Sequence, residues 1–255
     1  MKKTKFTLVL LCAAMFFISC NKENSNSDKA ASSSSSSVQQ SSKAAKKETI
    51  TSVILYDGTP FYSENADGKM VYADEAPLGD TIRIYMDKNA IEQKNAIRLL
   101  SSGKEEAFNF VHVSYYNKDY WTRDIFITND AAVVPGLVTA DALIYNSADG
   151  TAATTKKMEA GTIVAVNESS KTRDSDLDIE FIELTYYNAA AFGKKVWVKS
   201  DSVSSNKADI LALQTLKKIE GYDSLKPEVK TQLAYSLNNL PVSAFVAEKI
   251  IDAGL

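Results

Sequence analysis

The middle of the chain alternates between apolar and polar positions with a period of two, which is typical of strands that bury one face. The clearest runs cover residues 162–166, 179–187 and 196–198. In the longest run, Ile182 and Leu184 alternate with Glu183 and Thr185. With its neighbours, this pattern predicts about five short strands in roughly 70 residues, which is typical of a small β-barrel.

The alternating pattern occurs twice, because FVHVSYYN at 110–117 is nearly repeated by FIELTYYN at 181–188. Three further pairs of blocks match in the same order: PFYSENADG (60–68) with ALIYNSADG (142–150), PLGDTIRIY (77–85) with MEAGTIVAV (158–166), and YWTRDIFI (120–127) with VWVKSDSV (196–203). Four ordered matches indicate a duplicated unit. The alternation predicts that Val111 and Val113 face one core, and that Ile182 and Leu184 face the other.

Two segments have the spacing of helices instead. In residues 87–107 the apolar positions recur at helical spacing, so this insertion in the first unit is predicted to be a helix; they are Ala90, Ile91, Ala96, Ile97, Leu99 and Leu100. In residues 206–255, Gly221 and Gly254 are helix-stop signals, and Pro227 and Pro241 mark helix starts. Three short helices are expected there, packed on one another or on the second unit.

The first 19 residues combine a cationic start with an apolar run that is too short to cross a bilayer, which is typical of a secretory signal. The segment Phe17-Ile18-Ser19-Cys20 resembles the lipobox of bacterial lipoproteins, which implies that Cys20 is lipidated and becomes the mature N-terminus. Residues 20–49 are Ser-rich and polar, and they cannot bury enough surface to fold, so they are predicted to be a flexible tether.

The second unit also resembles the bacterial SH3-like (SH3b) family. Its matching positions are Leu143, Tyr145 and Ser147, the run 161–166, and Trp197 to Asp201. In the first unit, Trp121 is kept, but Thr122 stands where the family has Val. The resemblance implies a mainly β chain with two tandem SH3-like barrels, at 50–130 and 136–205, followed by the helical tail.

Charge and composition exclude several kinds of chemistry. Removal of the signal leaves 26 basic and 32 acidic residues, which argues against nucleic acid as a partner. The mature chain keeps one Cys, which the lipobox resemblance assigns to lipid, and one His, His112. A Cys-His nucleophile pair and a zinc site are therefore not expected, and no cofactor or metal is predicted. We interpret His112 as an exposed strand residue, and Asp174, Asp176 and Asp178 as a solvated acidic loop.

The repeated aromatic residues are the one feature with binding character, because they combine apolar area with polar tips. The candidate ligand-binding residues are Tyr116, Tyr187, Trp121, Trp197, Tyr62 and Tyr145. The family resemblance implies that such rings bind extended peptides. We therefore expect a non-catalytic lipoprotein of the bacterial envelope, on the periplasmic or outer face of a membrane, that binds peptidoglycan peptide or an envelope protein.

Two alternatives stay open from the sequence. In one, the β units act as spacers, and the C-terminal helices dock a partner protein. In the other, which the sequence favours least, a pair of carboxylates hydrolyses the cell wall; acidic residues are common, and no pair stands out.

Overall fold

Eight strands between residues 49 and 123 form the first of two sheets. In this computed structural model, residues 47–255 are described, except 101, 131, 191, 222 and 223. The strands are β1 Thr49–Val53, β2 Thr59–Glu64, β3 Met70–Ala76, β4 Thr81–Asp87, β5 Ala90–Ile91, β6 Gln93–Leu99, β7 Glu105–Tyr115 and β8 Lys118–Arg123. Strand β8 pairs with both β2 and β7, so the chain of pairings runs β3-β2-β8-β7-β4-β1.

Seven strands after residue 133 form the second sheet. They are β9 Val134–Val138, β10 Ala142–Tyr145, β11 Ala153–Met158, β12 Ile163–Asp174, β13 Ile179–Tyr186, β14 Lys194–Lys199 and β15 Val203–Ser204. Their order is β11-β10-β14-β13-β12-β9-β15. Each strand from β11 to β9 therefore has a counterpart at the same place in the first sheet, and these six strands pair in the same order in both units. The first sheet adds β5, which pairs with β4, and β6, which pairs with β7 and β3.

Backbone hydrogen bonds also match between the units. Gly79 N donates to Ile54 O at 2.9 Å, and Gly161 N donates to Val138 O at 2.7 Å. The two glycines have φ values of +88° and +90°, in the region that favours glycine. This match makes Gly79 of the first unit equivalent to Gly161 of the second. The predicted alignment of blocks 77–85 and 158–166 was therefore wrong by one residue.

Each sheet buries its own apolar core, as the alternation predicts. Val111 and Val113 are 1% and 0% exposed in the first, and Ile182 and Leu184 are 3% and 0% exposed in the second. The repeated octapeptides thus form the central strands β7 and β13. The mainly β character and the helical C-terminal segment are both confirmed.

The helix predicted for residues 87–107 is absent, and this prediction was wrong. The segment forms β5, β6 and the start of β7, and β6 pairs with β7 from Gln93–Val111 to Leu99–Glu105. Turns bound these strands: Lys88 and Asn89 have positive φ in a two-residue turn, and Gly103 has φ +79° in the next. Strand pairing satisfies the backbone here, and it overrides the weak helical spacing of the apolar residues.

Three helices follow the second sheet, namely α1 Lys207–Gly221, α2 Pro227–Leu237 and α3 Ala244–Asp252. Their shared core with the second sheet contains Leu137 and Ile163 from β9 and β12, together with Ile210, Leu216, Leu237 and Val246. Helix α1 also contacts the first unit, because Gln214 Nε2 donates to Leu78 O and to Asp80 Oδ1, both at 2.9 Å. The helices therefore pack on the second sheet, as expected, and also brace the first.

The matched glycines allow a test of this junction. A Cβ on Gly79 would lie 2.8 Å from Ile163 Cγ2 and 3.0 Å from Ile210 Cγ2, whereas one on Gly161 would have no atom nearer than 3.8 Å. We expect Gly161→Ala to lower the free energy of unfolding by about 1 kcal/mol through backbone strain. Gly79→Ala should lower it by about 3 kcal/mol, because overpacking adds to that strain.

Urea unfolding of the full chain measures both variants, and Gly161→Ala is the matched control. If both variants lower the free energy of unfolding equally, the turn at Gly79 is not closely packed against β12 and α1.

Candidate functional site

The structure separates the six aromatic residues predicted to bind ligand. Tyr62 and Tyr145 occupy matching positions opposite Trp121 and Trp197, but they are only 3% and 5% exposed. Tyr62 packs on Phe110 with ring centroids 5.3 Å apart, and Tyr145 packs on Phe181 at 4.8 Å. These two tyrosines belong to the interior of their units, and they do not offer a binding surface.

Trp121 is covered by the hairpin that replaces the predicted helix. Lys94 of β6 places its ammonium group 4.1 Å from the centroid of the indole ring. The imidazole of His112 stacks on Trp121 at 4.6 Å and contacts Tyr85 at 4.4 Å. The indole is therefore held between side chains of the chain itself, and Trp121 has a structural role.

His112 is not the exposed strand residue that was predicted, because its side chain is only 15% exposed. Its Nδ1 atom lies 3.0 Å from Glu92 Oε2, and Lys47 Nζ donates to the same carboxylate at 2.8 Å. Burial alone would raise the pKa of Glu92, but the bonds with Lys47 and His112 outweigh it and hold that pKa below its usual range. The group is an ion-paired cap over Trp121.

Trp197 has different neighbours in the second sheet. Glu183 stands opposite it on β13, at the position that His112 has in the first unit. Lys195 Nζ lies 3.7 Å from Glu183 Oε1 and 2.9 Å from Asp130 Oδ1. Trp197 is half-buried beside these charges. The two tryptophans thus share a strand position, but they do not form one site.

Tyr116 and Tyr187 also lie in different surroundings, although they match in sequence. Tyr116 is 79% exposed, and with Asn117 it forms a two-residue turn between β7 and β8 in which both residues have positive φ. Tyr187 instead begins a longer loop between β13 and β14, and it packs on Val53 and Leu55 of the first unit.

Tyr187 belongs to a group of four aromatic residues where the two sheets meet. We call this group the junction aromatic surface, and it consists of Tyr56, Phe126, Tyr187 and Phe192. Tyr56 lies centrally, with ring centroids 4.9 Å from Phe126 and 4.8 Å from Tyr187. Phe192 lies 6.3 Å from Tyr187. Tyr56 and Phe192 are 41% and 48% exposed, so the surface is open to solvent.

Three loops position these rings, because Tyr187 and Phe192 share the loop between β13 and β14. Tyr56 precedes the turn into β2, and Phe126 ends the short 3₁₀ turn Asp124–Phe126 after β8. Phe192 is held with φ +38° by a turn in which its N–H donates to Asn188 O at 2.7 Å. A phenylalanine with positive φ is strained, and such strain is concentrated at functional sites.

Charged groups and a cleft border the junction aromatic surface. The guanidinium of Arg123 lies 5.3 Å from the ring of Phe126. On the side of Tyr56, a cleft of about 370 Å³ begins at Asp57 and Gly58 and continues to Gln214 and Lys217 of α1. Rings with a polar border are the composition found at protein binding sites.

Three of these four aromatic residues were not among the predicted binding residues. Tyr56 and Phe126 lie within or beside matched blocks, but no periodicity marks them as exposed. Phe192 lies in a loop that is longer than its counterpart in the first unit, the two-residue turn at Tyr116. In the sequence, only the aromatic type of these three residues pointed to binding, and aromatic residues occur both in cores and on surfaces.

The acidic loop contains turn-forming residues. Asp174 accepts hydrogen bonds from the N–H groups of Gly150, Asp176 and Leu177 at 3.0–3.2 Å. These backbone bonds hold the pKa of Asp174 below its usual range. Asp178 pairs with Arg173. Within the described ranges, no group of three or more His, Cys, Asp and Glu side chains is placed to hold a metal ion.

Comparisons with known proteins add little. No protein-family model and no curated protein matches the chain. Among solved structures it is similar to NlpC1 and NlpC2 from Trichomonas vaginalis, with 12% and 13% identity and a TM-score of 0.21 for each. These matches cover 72% and 68% of this chain, which spans 58% and 57% of the length of those proteins. So low a TM-score carries no argument about fold or function.

The cap over Trp121 predicts a dependence of stability on pH. Because Glu92 has a lowered pKa when folded, its contribution is complete above its ordinary pKa of 4.5 and is lost as pH falls through the folded value. Glu92→Gln should cost about 0.5–1 kcal/mol at pH 7, since the pair is partly exposed. It should also make the loss of stability below about pH 4.5 less steep.

Urea midpoints between pH 3 and pH 7 measure this effect. The control is Glu168→Gln, which removes an exposed carboxylate that pairs with none of the described residues. If the urea midpoint falls as steeply below pH 4.5 in Glu92→Gln as in the wild type, ionised Glu92 does not stabilise the cap over Trp121.

Proposed function

We propose that this chain is a non-catalytic lipoprotein of the bacterial envelope whose tandem SH3-like units bind an extended cell-wall peptide. One observation carries the proposal: both units contribute to an exposed surface of four aromatic rings where they meet. Neither unit alone has this surface, since Tyr56 and Phe126 come from the first and Tyr187 and Phe192 from the second. Binding would therefore require the duplicated pair.

The shared topology supports the assignment of two SH3-like barrels. Both sheets follow one order of pairing, and each has a 3₁₀ turn directly after the strand that carries the tryptophan, at Asp124–Phe126 and Ser200–Ser202. In the first unit, β8 pairs on both edges, with β2 and β7, as strands in a closing sheet do. SH3-like folds bind extended peptides on aromatic surfaces.

The geometry of the rings favours a peptide over a sugar. Sugars stack on a flat, open ring face, but the ring of Tyr187 is tilted by 58° against Tyr56 and by 53° against Phe192, and only Tyr56 and Phe126 stack, at 26°. Tilted rings leave apolar notches between them, which suit the side chains of an extended peptide. The cleft beside Asp57 gives such a peptide a path toward α1.

Membrane attachment is proposed from the sequence alone, because Cys20 and residues 20–46 of the tether lie outside the described residues. Residues 47–49 were also predicted to belong to the tether, but Thr49 begins β1 and Lys47 pairs with Glu92. Lipidation of Cys20 would hold the protein at the membrane, and residues 20–46 would let the folded units reach away from it. Within the described part of the chain, the structure contains no helix that is long and apolar enough to span a membrane. The protein would lie on the periplasmic or the outer face of a membrane, depending on the membrane into which its lipid inserts.

A second candidate function is docking of an envelope protein through the C-terminal helices. Tyr235 of α2 and Ile251 of α3 favour it, because they are 70% and 72% exposed. The double variant Tyr235→Ser and Ile251→Ser tests this candidate without exposing the core beneath the helices. Loss of a partner in this variant, with the aromatic surface intact, would favour docking by the helices. Hydrolysis by paired carboxylates stays the least supported alternative.

We expect Cys20→Ala to move the protein from the membrane fraction to the soluble fraction, since the lipid would be its anchor. Metabolic labelling with a palmitate analogue should mark the wild type and fail to mark the variant. The control is Cys12→Ala, which changes the other Cys of the chain, within the signal segment. A labelled Cys20→Ala protein would contradict the anchor.

Binding to purified cell walls tests the peptide-binding role. We expect the full-length wild type to sediment with insoluble cell wall, and the double variant Tyr56→Ala and Phe192→Ala to bind about tenfold more weakly, because exposed aromatic residues dominate such contacts. Tyr116→Ala is the control, because it removes an exposed tyrosine away from this surface.

Thermal unfolding should show that the double variant keeps its fold. No sedimentation of the wild type, or equal sedimentation of all three proteins, would remove the cell-wall role.

A further inference from the structure

Arg123 is the one cationic side chain that lies over the ring of Phe126 in the described part of the chain. Its guanidinium stacks on Phe108 at 4.0 Å and lies 5.3 Å from Phe126. The side chain is half-buried, and its Nε atom is shielded from solvent without a hydrogen-bond partner among the described residues. No described carboxylate forms an ion pair with it, although Asp124 is its neighbour in sequence.

A second arginine near Phe108 differs from Arg123 at its terminal nitrogens. The guanidinium of Arg98 lies 4.8 Å from the centroid of the Phe108 ring, and it donates to Tyr62 Oη at 3.3 Å and to Glu106 Oε2 at 3.2 Å. The Nε atoms of both arginines are shielded and unpartnered, but only Arg123 also lacks partners for its terminal nitrogens among the described residues. Burial, and then the like charge of Arg98, lower the pKa of Arg123. An anion placed beside Arg123 would relieve both effects.

The arrangement of this side chain suits a planar anion. A guanidinium that stacks on an aromatic ring has its N–H groups directed outward in one plane, and this fork matches the two oxygens of a carboxylate. Lysine cannot reproduce this geometry, because its ammonium group is a point charge. Phe126 lies between Arg123 and Tyr56, and its ring centroid is 4.9 Å from that of Tyr56. One ligand can therefore contact both the guanidinium and the aromatic rings.

We propose that Arg123 binds a carboxylate of the ligand, and that the junction aromatic surface therefore selects acidic extended peptides. This proposal rests on the peptide-binding function above, and it adds the chemical class of the ligand. The carboxylate comes from an acidic side chain or from the peptide C-terminus, and both sources present the same two oxygens to the guanidinium.

Four synthetic hexapeptides separate these sources. They share one sequence with two aliphatic residues, carry either Glu or Gln at one central position, and end in either a free carboxylate or an amide. We expect the full-length wild type to bind the best acidic peptide about tenfold more tightly than the peptide that has neither carboxylate, as measured by calorimetry. A preference for Glu over Gln identifies an acidic side chain as the source of the carboxylate, and a preference for the free C-terminus over the amide identifies the terminal carboxylate.

In Arg123→Gln the preference should fall to about twofold or less, and Arg123→Lys should keep part of it. Lys199→Gln is the matched control, because Lys199 holds the equivalent place before the 3₁₀ turn of the second unit, away from the junction. It should leave the preference unchanged. Rising salt should weaken binding of the peptides that carry a carboxylate, and it should leave binding of the amidated Gln peptide nearly unaffected.

The outcomes separate the two proposals. If the wild type binds all four peptides equally, Arg123 does not read a carboxylate, while peptide binding stands. If the wild type binds none of them, both proposals fail. The comparison of peptides on the wild type does not depend on the folding of any variant, so a destabilised Arg123→Gln would not leave the question open.

Discussion

The burial of the first four residues of strand β12, residues 163–166, on both faces is the constraint on which the rest of the structure depends. Val164 and Val166 point into the core of the second sheet. The alternate residues point the other way, where Ile163 packs on the helices and Ala165 packs on Val53 and Leu55 of the first unit. One strand therefore joins three layers, and none of them can shift without opening an apolar contact. The position of the junction aromatic surface follows from this packing.

The two units share the pairing of six strands and differ in their loops. The order of pairing, the two glycine turns and the pairs of Tyr with Trp match between them. By contrast, the two-residue turn at Tyr116 corresponds to a longer loop that carries Tyr187 and Phe192. The backbone of a sheet allows few alternatives, whereas loops tolerate insertions at small entropic cost. Equivalence in sequence therefore predicts equivalent cores, and it does not predict equivalent surfaces.

Local pattern was enough to predict the central strands of both units, their buried faces and the helices at the C-terminus. Alternation around Ile182 and Leu184 reports burial directly, because the period of a strand fixes which side chains share a face. The segment 87–107 was misread because its apolar spacing is weak, and its state is decided by hydrogen bonds to β7. Turn residues at Asn89 and Gly103 were the signal that could have shown a hairpin.

The candidate site lay beyond such reasoning for a related cause. Tyr56 and Tyr187 are far apart in sequence, and their rings meet only because β1 and β12 share a core. Within one unit, Tyr187 looks like a strand-end residue, and Phe126 looks like the last residue of a turn. A surface built across two units has no signature in the sequence of either one. The contact between the units therefore gives this chain more than two similar sheets, because the junction aromatic surface exists only there, on loops that lie outside both cores.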